Sequence, residues 1–163
     1  MIINSIYALI ATFCFAVLSN ARGKKLIFAS VGGGITWFIY LFVSSYLNLS
    51  SILSYFSASL VGAIYSETMA RVFKTPVTTF IIGAIIPLVP GSGMYNTMFE
   101  TVQGNIDKSL ATGINTIGIA GTIAVGVFSV SSISKAIILF KRKLHLDRIR
   151  ALRHRSKSHN SKI

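Results

Sequence analysis

An all-α, polytopic helical membrane protein is the fold class this sequence predicts, on three observations. Of its 163 residues, 52% are hydrophobic and 12% are charged, whereas soluble domains carry about a quarter charged residues. The charges cluster at a few places, and long apolar runs separate them. One of those runs, residues 77–99 (VTTFIIGAIIPLVPGSGMYNTMF), is long enough to cross a bilayer yet is interrupted by Pro87, Pro90, Gly91 and Gly93.

About five spans follow from the rule that a crossing takes about 20 apolar residues. The first covers residues 2–18. Its basic residues come after the apolar stretch rather than before it, which favours an uncleaved helix over a signal peptide. The second covers residues 26–47 and contains Gly32-Gly33-Gly34. No Lys-Ser/Thr follows these glycines, so a phosphate loop is rejected and flexibility or tight packing remains. Trp37, Tyr40 and Tyr46 stand toward its outer end, where amphipathic rings anchor at the interface. The third span covers residues 52–65, with Ala58-x-x-x-Gly62 and Ser59-x-x-x-Ala63 as small helix-contact faces. Thr75-Pro76 opens the fourth as a capping residue followed by proline at the first helical position. That fourth span is the interrupted one, broken at Pro87 and at Pro90-Gly91.

The fifth run, residues 110–140, exceeds a span. It must tilt, bend near Ser129-Val130-Ser131-Ser132, or end as an interfacial helix. Asn115, Gly118, Thr122, Gly126 and Ser129 recur in it at three- and four-residue intervals and so share a face. Two regions result: a transmembrane domain over residues 1–143 and a basic cytoplasmic tail over residues 144–163.

Charge placement sets the topology. Arg22, Lys24 and Lys25 follow the first span, the second is followed by uncharged residues, and Arg71 and Lys74 follow the third with Glu67. Glu100, Asp107 and Lys108 follow the fourth, and a polybasic segment follows the fifth. The positive-inside rule then predicts an external N-terminus and a cytoplasmic C-terminus. The net charge of +12 is mostly that final segment, which suits anionic lipid headgroups at about 1 kcal/mol per basic residue. No aromatic–basic interleaving accompanies it, so nucleic acid is not a predicted partner. The lone Cys14 reads as a small packed hydrophobe. His145, His154 and His159 lie in the basic tail, and no Cys/His spacing suits a metal, so no cofactor is predicted. With no Asp, Glu, Lys or His at the centre of a span, an acid–base pair is hard to assemble and the chain reads as a non-enzyme.

Binding chemistry therefore concentrates at the broken helix. Proline cannot donate an N–H, so Pro87 and Pro90 deprive the carbonyls of Gly83 and Ile86 of their helical partners. At membrane depth such groups must be satisfied by protein or by a water-lined cavity. The break is then either a kink closed by neighbouring helices or an element of a substrate path. In the second reading the chain restarts after Pro90-Gly91 with Ser92 near the cap, presenting free N–H groups to an anion. Tyr95, Asn96 and Asn115 would add hydrogen bonds. Glu67, Arg71 and Lys74 are either a solvated charge group at the cytoplasmic face or an entrance that attracts an anionic substrate.

Arg71-x-x-Lys74-x-Pro76, then Phe80, then Ile86-Pro87-Leu88-Val89-Pro90-Gly91 leading to Tyr95, resembles the signature of the threonine/serine exporter family. The similarity is to its short membrane component, which corresponds to the C-terminal part of longer exporters. It extends to the small subunit of two-component dicarboxylate or succinate exporters. The basic turn after the first span and the glycines of the second are similar too, so roughly residues 10–130 are covered. Ser92-Gly93 falls at a variable position, and the basic tail is longer than the family pattern. The resemblance implies export of small carboxylate metabolites across a prokaryotic plasma membrane: threonine and serine, or a dicarboxylate such as succinate. It also implies a second, longer membrane subunit, beside which a homo-oligomer stays open. The rival reading is a non-transporting assembly or regulatory subunit whose tail binds lipid or a partner.

Overall fold

Periodic apolar residues punctuated by few breakers give a chain that is helical throughout its regular structure. The structure, a computed structural model, describes residues 2–19 and 23–160, with side chains described through residue 140 and at Lys143. Its helices are α1 (Ile2–Leu18), α2 (Lys24–Tyr46), α3 (Ser51–Val72), α4 (Thr78–Ile85), α5 (Gly91–Val102) and α6 (Ile106–Asn160). A 3-10 turn, Ile86–Leu88, follows α4. The chain divides into two units, Met1–Val130 and Ser131–Ile163. The second is the continuation of α6; the first holds every other element.

Helices α1 and α2 fall where the apolar runs place them, but α3 does not stop near Tyr65. It continues to Val72 and takes Glu67 and Arg71 into the helix. Nothing in Ser66–Val72 breaks a helix, and the stop comes from the backbone just beyond. Lys74 adopts a left-handed conformation (φ 49°), its N–H bonds to the Arg71 carbonyl and the Thr75 N–H to that of Ala70. This is a Schellman ending, normally built on glycine. Gly104 ends α5 in the same way. Helix α6 passes through Ser129–Ser132 without interruption, and Ser129 Oγ donates to its own helix at Val125 O (2.7 Å). A serine bonded back to its own turn leaves the ladder intact.

The expected count of five spans is coarser in the structure. Helix α2 and the segment Ile106–Phe140 are long and apolar enough to cross a membrane. The pair Thr78–Leu88 and Gly91–Val102, bent by 52°, makes a third if taken as one span. Helix α1 has 17 residues, or about 25 Å at 1.5 Å per residue. Helix α3 has 22 residues, but its buried face is Ser54, Ala58, Ser59, Gly62, Ala63, Ser66 and Ala70, which lowers its hydropathy.

Small residues decide the packing of the first unit, with α2 at its centre between α1, α3 and α4. A Cβ on Gly33 would collide with Thr12 of α1 and sit 2.9 Å from the Gly83 carbonyl oxygen of α4. One on Gly83 would sit 2.8 Å from the Ala29 carbonyl oxygen of α2. Gly32 lies under the ring of Tyr65, and Gly62 of α3 receives the Thr36 methyl. Tight packing, rather than flexibility, is thus the use of the glycine triplet. Buried hydroxyls at these crossings bond within their own helices, as Thr12 does to Ala8 O (2.7 Å) and Ser66 to Gly62 O (2.7 Å). Packing backbone on backbone in this way is how helices associate where lipid removes the hydrophobic drive.

Larger side chains fill the two ends. Ala58, Leu88, Ile119 and Ile123 form one cluster with Trp37, Tyr40 and Tyr55 against it; Ala29, Ala70 and Phe80 form the other with Phe73. Trp37 and Tyr40 are therefore packed, with Tyr40 and Tyr55 rings 4.5 Å apart, and of the three predicted anchors Tyr46 alone is exposed. On α6 the contact face is Thr116, Ile119, Ile123 and Gly126. Of the predicted face, Gly126 is buried while Asn115 and Gly118 are exposed. We expect Gly83→Ala to lower stability by roughly 1–3 kcal/mol, because the backbone of α2 cannot give way as a side chain would. Gly118→Ala, with open space at its Cβ, should be neutral or stabilising by up to about 1 kcal/mol. Thermal unfolding of both variants in detergent checks the pair.

Candidate functional site

The two prolines of the interrupted segment act differently. Ile86, before Pro87, keeps helical angles (φ −47°, ψ −49°), so Pro87 tightens the helix into the 3-10 turn without ending it. Val89, before Pro90, leaves the helix (φ −58°, ψ 125°), as the steric demand of a following proline favours. Pro90 then has φ −77° and ψ 59°, and the Gly91 N–H reaches back to the Val89 carbonyl at 2.7 Å, an inverse γ-turn. Helix α5 starts immediately afterwards. The break therefore sits at Val89-Pro90, and Pro90, not Ser92, holds the cap position; no side chain caps α5.

Of the two carbonyls that the prolines open, Ile86 O is bonded within its own turn and Gly83 O lies against α2. Ile86 O is taken by the Val89 N–H at 3.2 Å. Gly83 O faces Gly33 of α2, 2.9 Å from where a Cβ on that glycine would stand. Ala84 O receives the Thr36 hydroxyl of α2 at 2.7 Å. Thr36 is fully buried, and its one proton is shared with Gly32 O and Gly33 O at 2.9 and 3.0 Å. The α5 end differs. Met94 N–H bonds to Pro90 O at 3.1 Å, but among the described residues the N–H groups of Ser92 and Gly93 have no acceptor. They form a small donor pair at the positive end of a helix.

Around the break the predicted residues separate. Pro90 is buried and Pro87 half-buried, while Gly91, Ser92, Tyr95 and Asn96 are exposed. Tyr95 and Asn96 lie in the second turn of α5, and Tyr95 stacks on Phe99 with centroids 6.0 Å apart. Helix α5 buries no residue of its own. It rests on α6 through Gly93 against Thr116 and through Thr97 against Gly113, with Ser109 Oγ donating to Thr97 O at 3.0 Å. Asn115 lies on the same helix as Thr116 but on its exposed side. On the α1 side of the break, Pro87 lines an open surface groove with Asn4, Tyr7, Ala8, Ala11 and Trp37. Thr36 and the polar lining Asn4, Tyr7 and Trp37 carried no signal in the sequence beyond their being polar groups in apolar runs.

The charged group Glu67, Arg71 and Lys74 is set apart from the break, at the α3–α4 turn. Arg71 Nη2 stands 3.8 Å from Glu67 Oε2, with the arginine side chain 50% exposed and the glutamate 13%. Lys74 is exposed on its left-handed backbone. Thr75 does not cap α4. Its hydroxyl oxygen is buried without a partner, and Val77 occupies the cap position. Among the described residues no three His, Cys, Asp or Glu side chains cluster as a metal site would require.

A membrane chain of closely packed helices, one of them broken by proline and restarted with free N–H groups, has the architecture of a transport protein. It belongs to the threonine/serine exporter family: residues 4–133 match the family profile described as Threonine/Serine exporter, ThrE. Comparison with curated proteins and with solved structures gives no match. The matched region holds α1 to α5 and the α6 residues that contact them, so both the break and the α3–α4 turn lie within it. The family points to a transporter of amino-acid export rather than an enzyme.

Two substitutions test this geometry. Thr36→Val keeps the shape but removes the hydroxyl from Ala84 O, and should cost about 1–3 kcal/mol. Lys74→Gly relieves the left-handed backbone and should stabilise by about 0.5–1 kcal/mol. Both are read as unfolding midpoints in detergent.

Proposed function

We propose that this chain is a subunit of a secondary exporter for small carboxylate-bearing metabolites, threonine and serine foremost, with dicarboxylates such as succinate as the other class. The observation that carries the reading is the interrupted helix, whose restart beside Pro90-Gly91 leaves the Ser92 and Gly93 N–H groups without an acceptor among the described residues. The substrate carboxylate sits on those donors. Tyr95, Asn96 and Asn115 flank the path on the α5–α6 side, and Glu67, Arg71 and Lys74 form its cytoplasmic entrance. The N-terminus is outside and the basic tail cytoplasmic in a prokaryotic plasma membrane. In this topology α1 and α3 cross too: α3 turns its hydroxyl and glycine face inward and carries Ile52, Leu53 and Ile64 outward. Residues 1–143 make the membrane domain and residues 144–163 the lipid-facing tail.

The outward placement of Ser92, Tyr95 and Asn96, on a helix with no buried residue, supports a site completed by another polypeptide. A second, longer membrane subunit of the same exporter is the partner we propose. The same observation favours the rival reading, a non-transporting assembly subunit. Efflux from cells lacking the chain, restored or not by its return, separates the two.

Two predictions follow from this reading. Pro90→Ala with Gly91→Ala restores a continuous helix; efflux per folded molecule should fall sharply while thermal stability is kept. Near-normal efflux from the folded double variant removes the break from the site. A reporter active only in the cytoplasm, fused after Ile163, should be active, and cysteines placed at Asn48 and Asn105 should react with an external reagent.

A further inference from the structure

Two local faults meet in the turn between α3 and α4. Lys74 is a non-glycine residue in a left-handed conformation (φ 49°), where its Cβ crowds the following carbonyl. Asn48 shares that feature (φ 46°), but asparagine tolerates it and lysine does not. The next residue, Thr75, has its hydroxyl oxygen buried with no hydrogen-bond partner. Nearly all such atoms are satisfied in native proteins, and an exception is one form of stored strain. Strain persists only where the surroundings over-determine it, and it clusters at switch regions. The surroundings here are aromatic. Phe73, the cap residue of α3, holds its ring centroid 5.0 Å from that of Phe28 of α2 and 5.7 Å from that of Phe80 of α4. Phe80 is fully buried, and Ala29, Ala70, Met69 and Val77 complete the cluster. Tyr65 ties α3 to α2 at the same end, its hydroxyl donating to Phe28 O at 2.8 Å. This is the end at which Lys24 and Lys25 begin α2, the cytoplasmic end in the topology proposed above.

We propose that the turn of residues 73–77 is a cytoplasmic gate with two states, closed here by the Phe73 ring, and that Lys74 and Thr75 set the balance between them. The proposal rests on the exporter reading and adds how the cytoplasmic side is shut. A substrate moving from that side along α4 toward the break meets Phe73 and Phe80 first. In the closed state, ring packing and the two backbone bonds of the turn, Lys74 N–H to Arg71 O and Thr75 N–H to Ala70 O, hold both faults in place. When the turn swings out, Phe73 leaves Phe80, Lys74 returns to a right-handed φ, and the Thr75 hydroxyl reaches water. Each change recovers part of what the lost ring contacts cost, so the open form lies within reach of the closed one. Residues at an element end that absorb a backbone change of this kind are how hinges are built. Lys74 and Thr75 are thus positioning residues for the gate, whereas Phe73 is the part that blocks.

The test removes each fault and reads stability and transport together, with efflux of L-threonine and succinate from cells expressing the full chain in its native background, normalised to folded protein. Lys74→Gly and Lys74→Ala both lose the charge, but the glycine alone relieves the left-handed backbone. Relative to the alanine variant, the glycine variant should unfold at a higher temperature in detergent and export about two- to five-fold less, because closing the turn depletes the competent form. Thr75→Val keeps the shape without the orphan hydroxyl; it should also raise the unfolding midpoint and lower efflux about five-fold or more. A merely structural turn gives higher midpoints with unchanged efflux, and that result overturns the proposal, as do unchanged midpoints. A second readout is independent of transport. Thr75→Cys, in a chain with Cys14→Ala, is labelled by a membrane-impermeant maleimide in inside-out vesicles, and Lys74→Gly should slow the labelling relative to Lys74→Ala by the same two- to five-fold factor, about the population shift. Equal labelling rates overturn the gate whatever the efflux. A wild type that exports neither substrate, with the labelling difference intact, overturns the exporter reading and leaves the two-state turn standing.

Discussion

Close approach of α2 to three neighbours is the constraint on which the remaining structure depends. Without an aqueous drive to bury side chains, helices in a membrane gain by dispersion and by short polar contacts, both of which need small residues at the crossing. Gly32, Gly33 and Gly34 remove the Cβ atoms where α1, α3 and α4 come nearest. Thr36 sits one turn further along the same helix. Its methyl fills the space over Gly62 of α3, while its hydroxyl reaches Ala84 O of α4. One fully buried side chain therefore joins three helices and also satisfies a carbonyl at the edge of the proline-broken segment.

That link explains how a helix can carry two prolines and break at Val89-Pro90 while its upstream half stays packed on α2. Pro87 and Pro90 remove two donors, and unsatisfied carbonyls in hydrocarbon cost several kcal/mol each. Locally, a 3-10 bond takes Ile86 O and the Thr36 hydroxyl takes Ala84 O, while Gly83 O lies against Gly33. At the downstream end α5 begins with its Ser92 and Gly93 donors lacking an acceptor among the described residues. The two sides of the break thus differ: the α4 side packs on α2, whereas the start of α5 is exposed.

Polarity is distributed to match. The buried polar groups of the first unit are almost all hydroxyls bonded to their own helices, so they add contact without adding charge. Charge stands outside that set, in the partly exposed Glu67–Arg71 pair at the α3–α4 turn. A transporter of the threonine/serine exporter family thereby presents two distinct polar places, a neutral donor pair at a helix start and a carboxylate with its guanidinium nearer the turn.

Local chemistry made much of this legible. Residues 2–18 and the apolar stretch of α2 are runs bounded by charge, and a proline pair in an apolar run can hardly be anything but a break. Arg71-x-x-Lys74-x-Pro76 with the Pro-Leu-Val-Pro-Gly core likewise identified the family. Tertiary structure decided what local chemistry leaves degenerate. The α3 end was hidden because glutamate, threonine and arginine are all acceptable in helices, and only a left-handed Lys74 stops the helix. On α6, small residues occur at 113, 118, 121 and 126, so helical phase alone could not select the face. Contact with Ser59 of α3 and Gly93 of α5 turned Gly126 and Thr116 inward and left Gly118 and Asn115 outside. Thr36 looked like any β-branched residue in a span. Its role exists only because α4 brings a carbonyl to 2.7 Å from it, a contact between residues 48 apart in sequence that no local pattern encodes.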